Sequence, residues 1–258
     1  VNLPEIKTGE TKTFTVSEKA SSGDARLDIN MGAGELALKD GSDRLVEGAI
    51  QYNVEGWEPF VTRDGSHVTI SQRSDLKGLP TKNLVNRWDL NLGSKTPLDL
   101  RIGAGAYRGT MELGGIPIKR LEIADGASTV DVSFNERNPV EMSLFQYHSG
   151  ASTITLEGLG NANFDEMIFE AGAGSYTLDF SGELQRDANV RVAGGVSTVK
   201  IVIPHGVNCE IHMTGALNNI NASGTWTLEG NTYVTAGSGP KLRITVDMGV
   251  GNLDLVHR

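Results

Sequence analysis

Eight times along this chain, a cluster of small residues is bracketed by two pairs of apolar residues. The clusters centre on Gly32, Gly103, Gly126, Gly150, Gly172, Gly195, Ala216 and Gly249. Five and three residues before them lie pairs such as Leu27/Ile29, Leu98/Leu100, Leu121/Ile123, Phe145/Tyr147 and Met167/Phe169. Four and six residues after them lie pairs such as Leu36/Leu38, Val130/Val132, Ile154/Leu156 and Val199/Ile201. Apolar residues two apart place one buried face on a short strand, so each unit reads as strand, small-residue bend, strand. Only the Gly103 unit departs, with Tyr107/Gly109 where the second apolar pair belongs.

The spacing of the anchors decides between two all-β architectures. Hairpins in a sandwich favour Asn-Gly or Asp-Gly turns at irregular intervals. Here the anchors from Gly103 onward are 23, 24, 22, 23 and 21 residues apart. That interval is one rung of a parallel β-solenoid, with each rung adding about 4.8 Å to the stack. The fold class expected is therefore all-β, a single-chain parallel β-solenoid or β-helix of about 22-residue rungs. The last interval, 33 residues, holds Thr225-Trp226-Thr227-Leu228, Glu229-Gly230-Asn231 and Thr232-Tyr233-Val234, which reads as a hairpin inserted near 225–236.

The N-terminal third is less regular. Ile50, Tyr52 and Val54 alternate, as do Trp88, Leu90 and Leu92, so both runs read as half-buried strands, and polar residues 72–87 read as a loop. The domain division expected is 1–95, an irregular β region packed on the solenoid, and 96–258, the repeat solenoid. A hydrophobic content of 38% supports a packed core.

Charge and residue usage narrow the function. A net charge of −9 disfavours nucleic acid as a partner, since phosphate binding needs clustered Lys and Arg, and gives no general attraction to anionic lipid. The single cysteine, Cys209, lies among Val207, Ile211 and Met213 and reads as a buried core thiol. No run approaches the ~18 apolar residues of a membrane helix. The start at Val1 suggests removal of a leader, anchor or tag, so membrane contact is expected only through a segment outside this sequence.

Catalytic constellations are weak. Asp125, Asp131, Asp165, Glu166 and Asp179 invite comparison with the acid pairs of β-helical polysaccharide enzymes, but read as turn and solvated-face residues. The five histidines, His67, His148, His205, His212 and His257, have no ligand spacing and read as scattered. The outward rows mix Thr, Ser, Asn and both charges, giving neither an ice-binding Thr lattice nor a calcium comb. No catalytic, cofactor-binding or metal residues are assigned, and no cofactor is expected. Trp57, Phe60, Trp226 and Tyr233 lie outside the regular rungs and form the candidate interaction surface. Capping of the open solenoid ends is the alternative role for them.

The run Trp88-Asp89-Leu90-Asn91-Leu92, followed by Pro97-Leu98-Asp99-Leu100-Arg101-Ile102-Gly103-Ala104-Gly105 and the glycine rungs, resembles the bacterial toastrack domain. Leu27-Asp28-Ile29 and Gly32-Ala33-Gly34-Glu35-Leu36 are similar to the start of that family's N-terminal module. The toastrack domain is the extracytoplasmic part of LiaF-like, cell-wall-active antibiotic response proteins and of related adhesin-like proteins. The resemblance implies a non-catalytic, sensory or binding module of the bacterial cell envelope, extracytoplasmic or secreted and anchored through another segment. Its implied partners are an envelope protein, peptide or glycan. A self-associating scaffold, hence a homo-oligomer, is the alternative reading, and a carbohydrate-active enzyme the third.

Overall fold

The computed structural model describes residues 8–21, 23–73, 83–215 and 219–258. Sixteen strands form one mostly parallel sheet. The N-terminal third supplies β1 (Thr8–Glu18), β2 (Ala25–Ser42), β3 (Val46–Val54), β4 (Pro59–Asp64), β5 (His67–Gln72) and β6 (Asn86–Gly93). The regular middle is β7 (Leu98–Glu112), β8 (Ile118–Ser133), β9 (Met142–Glu157), β10 (Phe164–Asp179) and β11 (Ala188–Ile203). The C-terminal end is β12 (Asn208–Gly215), β13 (Asn219–Ser223), β14 (Thr227–Glu229), β15 (Thr232–Thr235) and β16 (Lys241–His257).

Each long strand runs unbroken through its small-residue centre and is therefore two arms joined at a bend. The expected apolar pairs point inward: Leu121, Phe145, Tyr147, Met167, Phe169 and Val192 are all fully buried. Short returns between strands close the third side and add Leu113, Ile116, Phe134, Leu159 and Phe180 to the same core. Buried asparagines satisfy the returns. The Asn138 side chain donates to the carbonyls of Ile118 (2.7 Å) and Ala162 (3.1 Å), and that of Asn163 donates to Val140 (2.8 Å). Each reaches neighbouring rungs, so the irregular wall carries hydrogen bonds as the ladders do.

Register corrects one anchor. Leu100 pairs with Leu121, Leu121 with Phe145, Phe145 with Met167 and Met167 with Val190. This alignment puts Gly105, and not Gly103, in the glycine column with Gly32, Gly126, Gly150, Gly172, Gly195 and Gly249. A Cβ on Gly105 would lie 2.5 Å from the Gly32 carbonyl oxygen, and one on Gly150 would lie 2.4 Å from that of Gly126. The column is glycine because successive backbones close on each other there. The irregularity at Tyr107/Gly109 has the same origin. Once the anchor moves, Gly109 takes an inward place, and the Tyr107 ring occupies the space its side chain would need, 2.8 Å away.

The strands do not stack in chain order: β16 lies between β11 and β12. It pairs with β11 along its whole length and on its other edge with β12 and β13. The N-terminal end repeats this plan, with β2 paired to β7 on one edge and to β5 and β6 on the other. At the N-terminal end the layer beyond β2 is made of two short strands, β5 and β6, instead of one bent strand. The anchor Ala216 falls outside the described residues, as does the 74–82 part of the loop expected at 72–87.

Antiparallel strands cover the end layers. β3 pairs with β6 and β1 with β3, β4 pairs with β5, and the β14–β15 hairpin pairs with β12. Such covering shields edges that would otherwise recruit other chains.

Candidate functional site

The four aromatic residues singled out from the sequence do not converge. Trp57 is 2% exposed and packs inside, so it contributes no surface. Phe60 lies on β4 at the N-terminal end and is 37% exposed. Trp226 and Tyr233 meet edge-to-face at 6.0 Å in the C-terminal hairpin, partly buried against the core. From β5 to β12 the sheet takes eight strand steps, about 38 Å at ~4.8 Å per step. The aromatics therefore belong to the two ends of the stack.

A continuous surface feature lies instead along the outer bend. One residue after each column glycine, Ala33, Ala106, Ala127, Ala151, Ala173, Val196 and Val250 stand in register across seven strands. The last two are 66% and 49% exposed, unusual for valine in a folded core protein. Six steps make this apolar stripe about 29 Å long. The next residue is glycine on three of these strands, and Gly34, Gly174 and Gly251 take φ of 148°, 151° and 149° there.

Grooves flank the stripe. The larger, about 890 Å³, follows the arm after the bend and is lined by Glu35, Asn86, Arg87, Arg108, Ser128 and Thr129, with Leu84 and Val85 as an end wall. Within it Glu35 stands in register between Arg87 and Arg108, so charge alternates along the stack. Further along, the same row continues as Thr129, Thr153, Ser175, Thr198 and Asn252, all neutral hydrogen-bonding groups. A second groove on the arm before the bend is lined by His148, Glu170 and Asp247 among small residues. His148 Nδ1 lies 3.2 Å from a Glu170 carboxylate oxygen there.

Beneath the bend lies a polar network. Asp125 accepts hydrogen bonds from Tyr147 Oη (2.8 Å) and Ser149 Oγ (2.5 Å), and Ser128 Oγ donates to Ser152 Oγ at 2.8 Å. Burial, reinforced by Asp125, raises the phenol of Tyr107 above the ordinary tyrosine range. Burial, with Tyr107 and Asp125 adding to it, does the same to Tyr147. The phenols thus stay protonated, and that of Tyr147 is the one that donates to the carboxylate. Asp125 is accordingly an inward, partly buried acceptor, where the sequence suggested a solvated turn. Asp179 also departs from that reading: it is 7% exposed, paired with Arg258 at 2.9 Å and accepting from the Ser181 amide. Asp165 stands near the opposite end of β10 from Asp179 and binds Arg186, so these carboxylates form no pair. Asp131 lies exposed on the outward row. Among the described residues no group of three or more His, Cys, Asp or Glu is placed to hold a metal ion. No helix among them is long and apolar enough to cross a membrane.

The stripe was missed in the sequence because alanine beside glycine reads as bend composition.

The model of the N-terminal domain of toast_rack, DUF2154, matches residues 5–145 and 128–202. None of the curated proteins matches the chain. A candidate cell adhesion protein from Clostridium sporogenes ATCC 15579 has a similar fold, with TM-score 0.55 and 19% identity, over 96% of this chain and 99% of that one. A candidate adhesin from Bacteroides fragilis NCTC 9343 aligns at TM-score 0.36 and 12% identity, over 96% and 97% of the two chains. A candidate lipid binding protein from Parabacteroides distasonis ATCC 8503 aligns at TM-score 0.41 and 12% identity, also over 96% and 97%.

Proposed function

The chain belongs to the toast_rack family, and from that premise we propose that it is a non-catalytic, adhesin-like binding module of the bacterial cell envelope. In this reading a β-solenoid of about 22-residue rungs presents its bend face, outside the cytoplasm, to an envelope protein, peptide or glycan. The observation that carries the reading is the exposed Ala and Val stripe, bordered by Thr, Ser and Asn rows. An apolar strip rimmed by hydrogen-bonding groups is the anatomy of a contact surface. Its length and straightness suit an extended polymer lying along the stack.

The test uses the untagged protein with purified cell-wall sacculi and with envelope protein extracts. A Val196→Lys, Val250→Lys double variant, confirmed as folded by circular dichroism, is expected to lose at least tenfold in retention. Unchanged retention by the folded variant removes the bend face, and no retention of the wild-type protein on either material removes the adhesin-like reading.

One observation favours the scaffold reading as a second choice. Among the described residues, β13 pairs only with β16, so its outer edge is open. Self-association through that edge predicts sedimentation coefficients that rise with concentration. A strict monomer at every concentration sinks it.

A further inference from the structure

We infer that His205 and His257 form a two-histidine site for a divalent transition-metal ion at the C-terminal end of the stack. Both side chains were read from the sequence as scattered, being 52 residues apart. Pairing of Ile203 with His257 brings them together, and the amide of His205 donates to the Arg258 carbonyl at 2.8 Å. Nδ1 of His205 then faces Nε2 of His257 at 3.3 Å.

That separation is long for an N–H···N hydrogen bond, which prefers about 3 Å. It equals the bite of two ligands on one tetrahedral ion: bonds of ~2.0–2.1 Å at ~109° put the nitrogens about 3.3–3.4 Å apart. The second ring nitrogen of His257 supplies the other requirement. Nδ1–H donates to the Thr225 carbonyl at 2.7 Å, which fixes the tautomer and leaves the lone pair on Nε2, the nitrogen beside His205 Nδ1. Ligating histidines are oriented in this way by a backbone or carboxylate acceptor. Steric access is open because His205 is exposed, leaving the remaining coordination positions to water. The nearby cation, Arg258, is engaged with Asp179, and the chain as a whole is acidic.

Two neutral imidazoles select copper, nickel or zinc over magnesium or calcium, with Cu²⁺ bound most tightly. The ion ties the turn after β11 to the end of β16 and to the segment leading into the hairpin. Trp226 reports on it directly. Its ring lies 5.6 Å from that of His257, and its Nε1 is fixed by a hydrogen bond to the Ser223 carbonyl. The chain's other tryptophans, Trp57 and Trp88, are buried in the N-terminal part.

The experiment titrates untagged, chelator-stripped full chain with CuSO₄ while following tryptophan emission, then repeats it with ZnCl₂ present as a non-quenching competitor. Saturable quenching at micromolar Cu²⁺, relieved by Zn²⁺ and absent with MgCl₂, is expected. His205→Asn and His257→Phe should each weaken binding tenfold or more. His212→Asn, at an exposed histidine bonded to Thr232, should leave it unchanged. Affinity within twofold of wild type in folded His205→Asn overturns the site, as does quenching that never saturates. His205→Asn carries the decision if His257→Phe fails to fold, since His205 lies in an exposed turn.

Discussion

Replacing Gly150 by alanine tests the central packing constraint of this fold. The added methyl would sit 2.4 Å from the Gly126 carbonyl oxygen, with the rest of that peptide at 3.4 and 3.6 Å. Ordinary contact begins near ~3.5 Å, so β8 and β9 must part locally by about 1 Å. A ladder hydrogen bond of about 2.9 Å stretched by that amount is lost. Two flanking bonds at ~0.5–1.5 kcal/mol each, with ~1–3 kcal/mol of overpacking, give a cost of about 2–6 kcal/mol. Gly239→Ala is the matched control, because no atom lies within 4 Å of the added methyl and no positive φ forbids it. Restricting the unfolded chain there is worth at most about 0.4–1 kcal/mol of stabilisation. Hydrogen exchange is the suitable assay, since a stacked repeat opens locally before it unfolds as a whole. Amides of β8 and β9 near the bend should lose about 30-fold or more in protection in Gly150→Ala and nothing in Gly239→Ala. Protection that differs between the two variants by less than twofold would refute the close-stacking argument.

Two further outcomes follow from titratable groups. Burial tends to raise the carboxyl of Asp28, but hydrogen bonds from Arg26 and His67 outweigh it and hold the group below its ordinary value. A carboxyl depressed in the folded state stabilises above its unfolded value near ~3.9, and that contribution disappears as pH falls through the depressed value. Urea midpoints measured from pH 6 down to pH 2 should therefore fall less steeply for Asp28→Asn than for wild type, and parallel curves would contradict the pairing. Burial pushes the Cys209 thiol up to about 12. Ellman's reagent at pH 8 should find no reactive thiol in the native protein and one after unfolding, and rapid native labelling would show the site to be open.

The aromatic and titratable residues show where local sequence stops being informative. Leu121/Ile123 and Phe145/Tyr147 announce their burial by spacing alone, because a strand face is set by alternation along one segment. Trp57 and Trp226 look alike in sequence, as residues outside the regular rungs, yet one is buried and the other lies at a partly open end. Asp125 sits beside a bend glycine, where a carboxylate is ordinarily solvated. It turns inward because Tyr147 and Ser149, one rung away, supply donors. Its environment thus comes from residues more than twenty positions distant, which no local pattern encodes.

The glycine-centred repeat by itself determined that this chain is all-β, with bent strands, an apolar interior and small residues where backbones meet. Those properties depend on the chain's own alternation and on the absence of Cβ atoms at the bend. Only the tertiary structure decided which copy stacks on which. Every rung offers the same backbone ladder and nearly the same inward pairs, so sequence periodicity cannot rank the neighbours. The observed pairing does: β2 and β16 lie within the stack, with β5 and β6 beyond one and β12 and β13 beyond the other. That ordering brings His257 beside His205 and lines up the alanine and valine stripe through Val250.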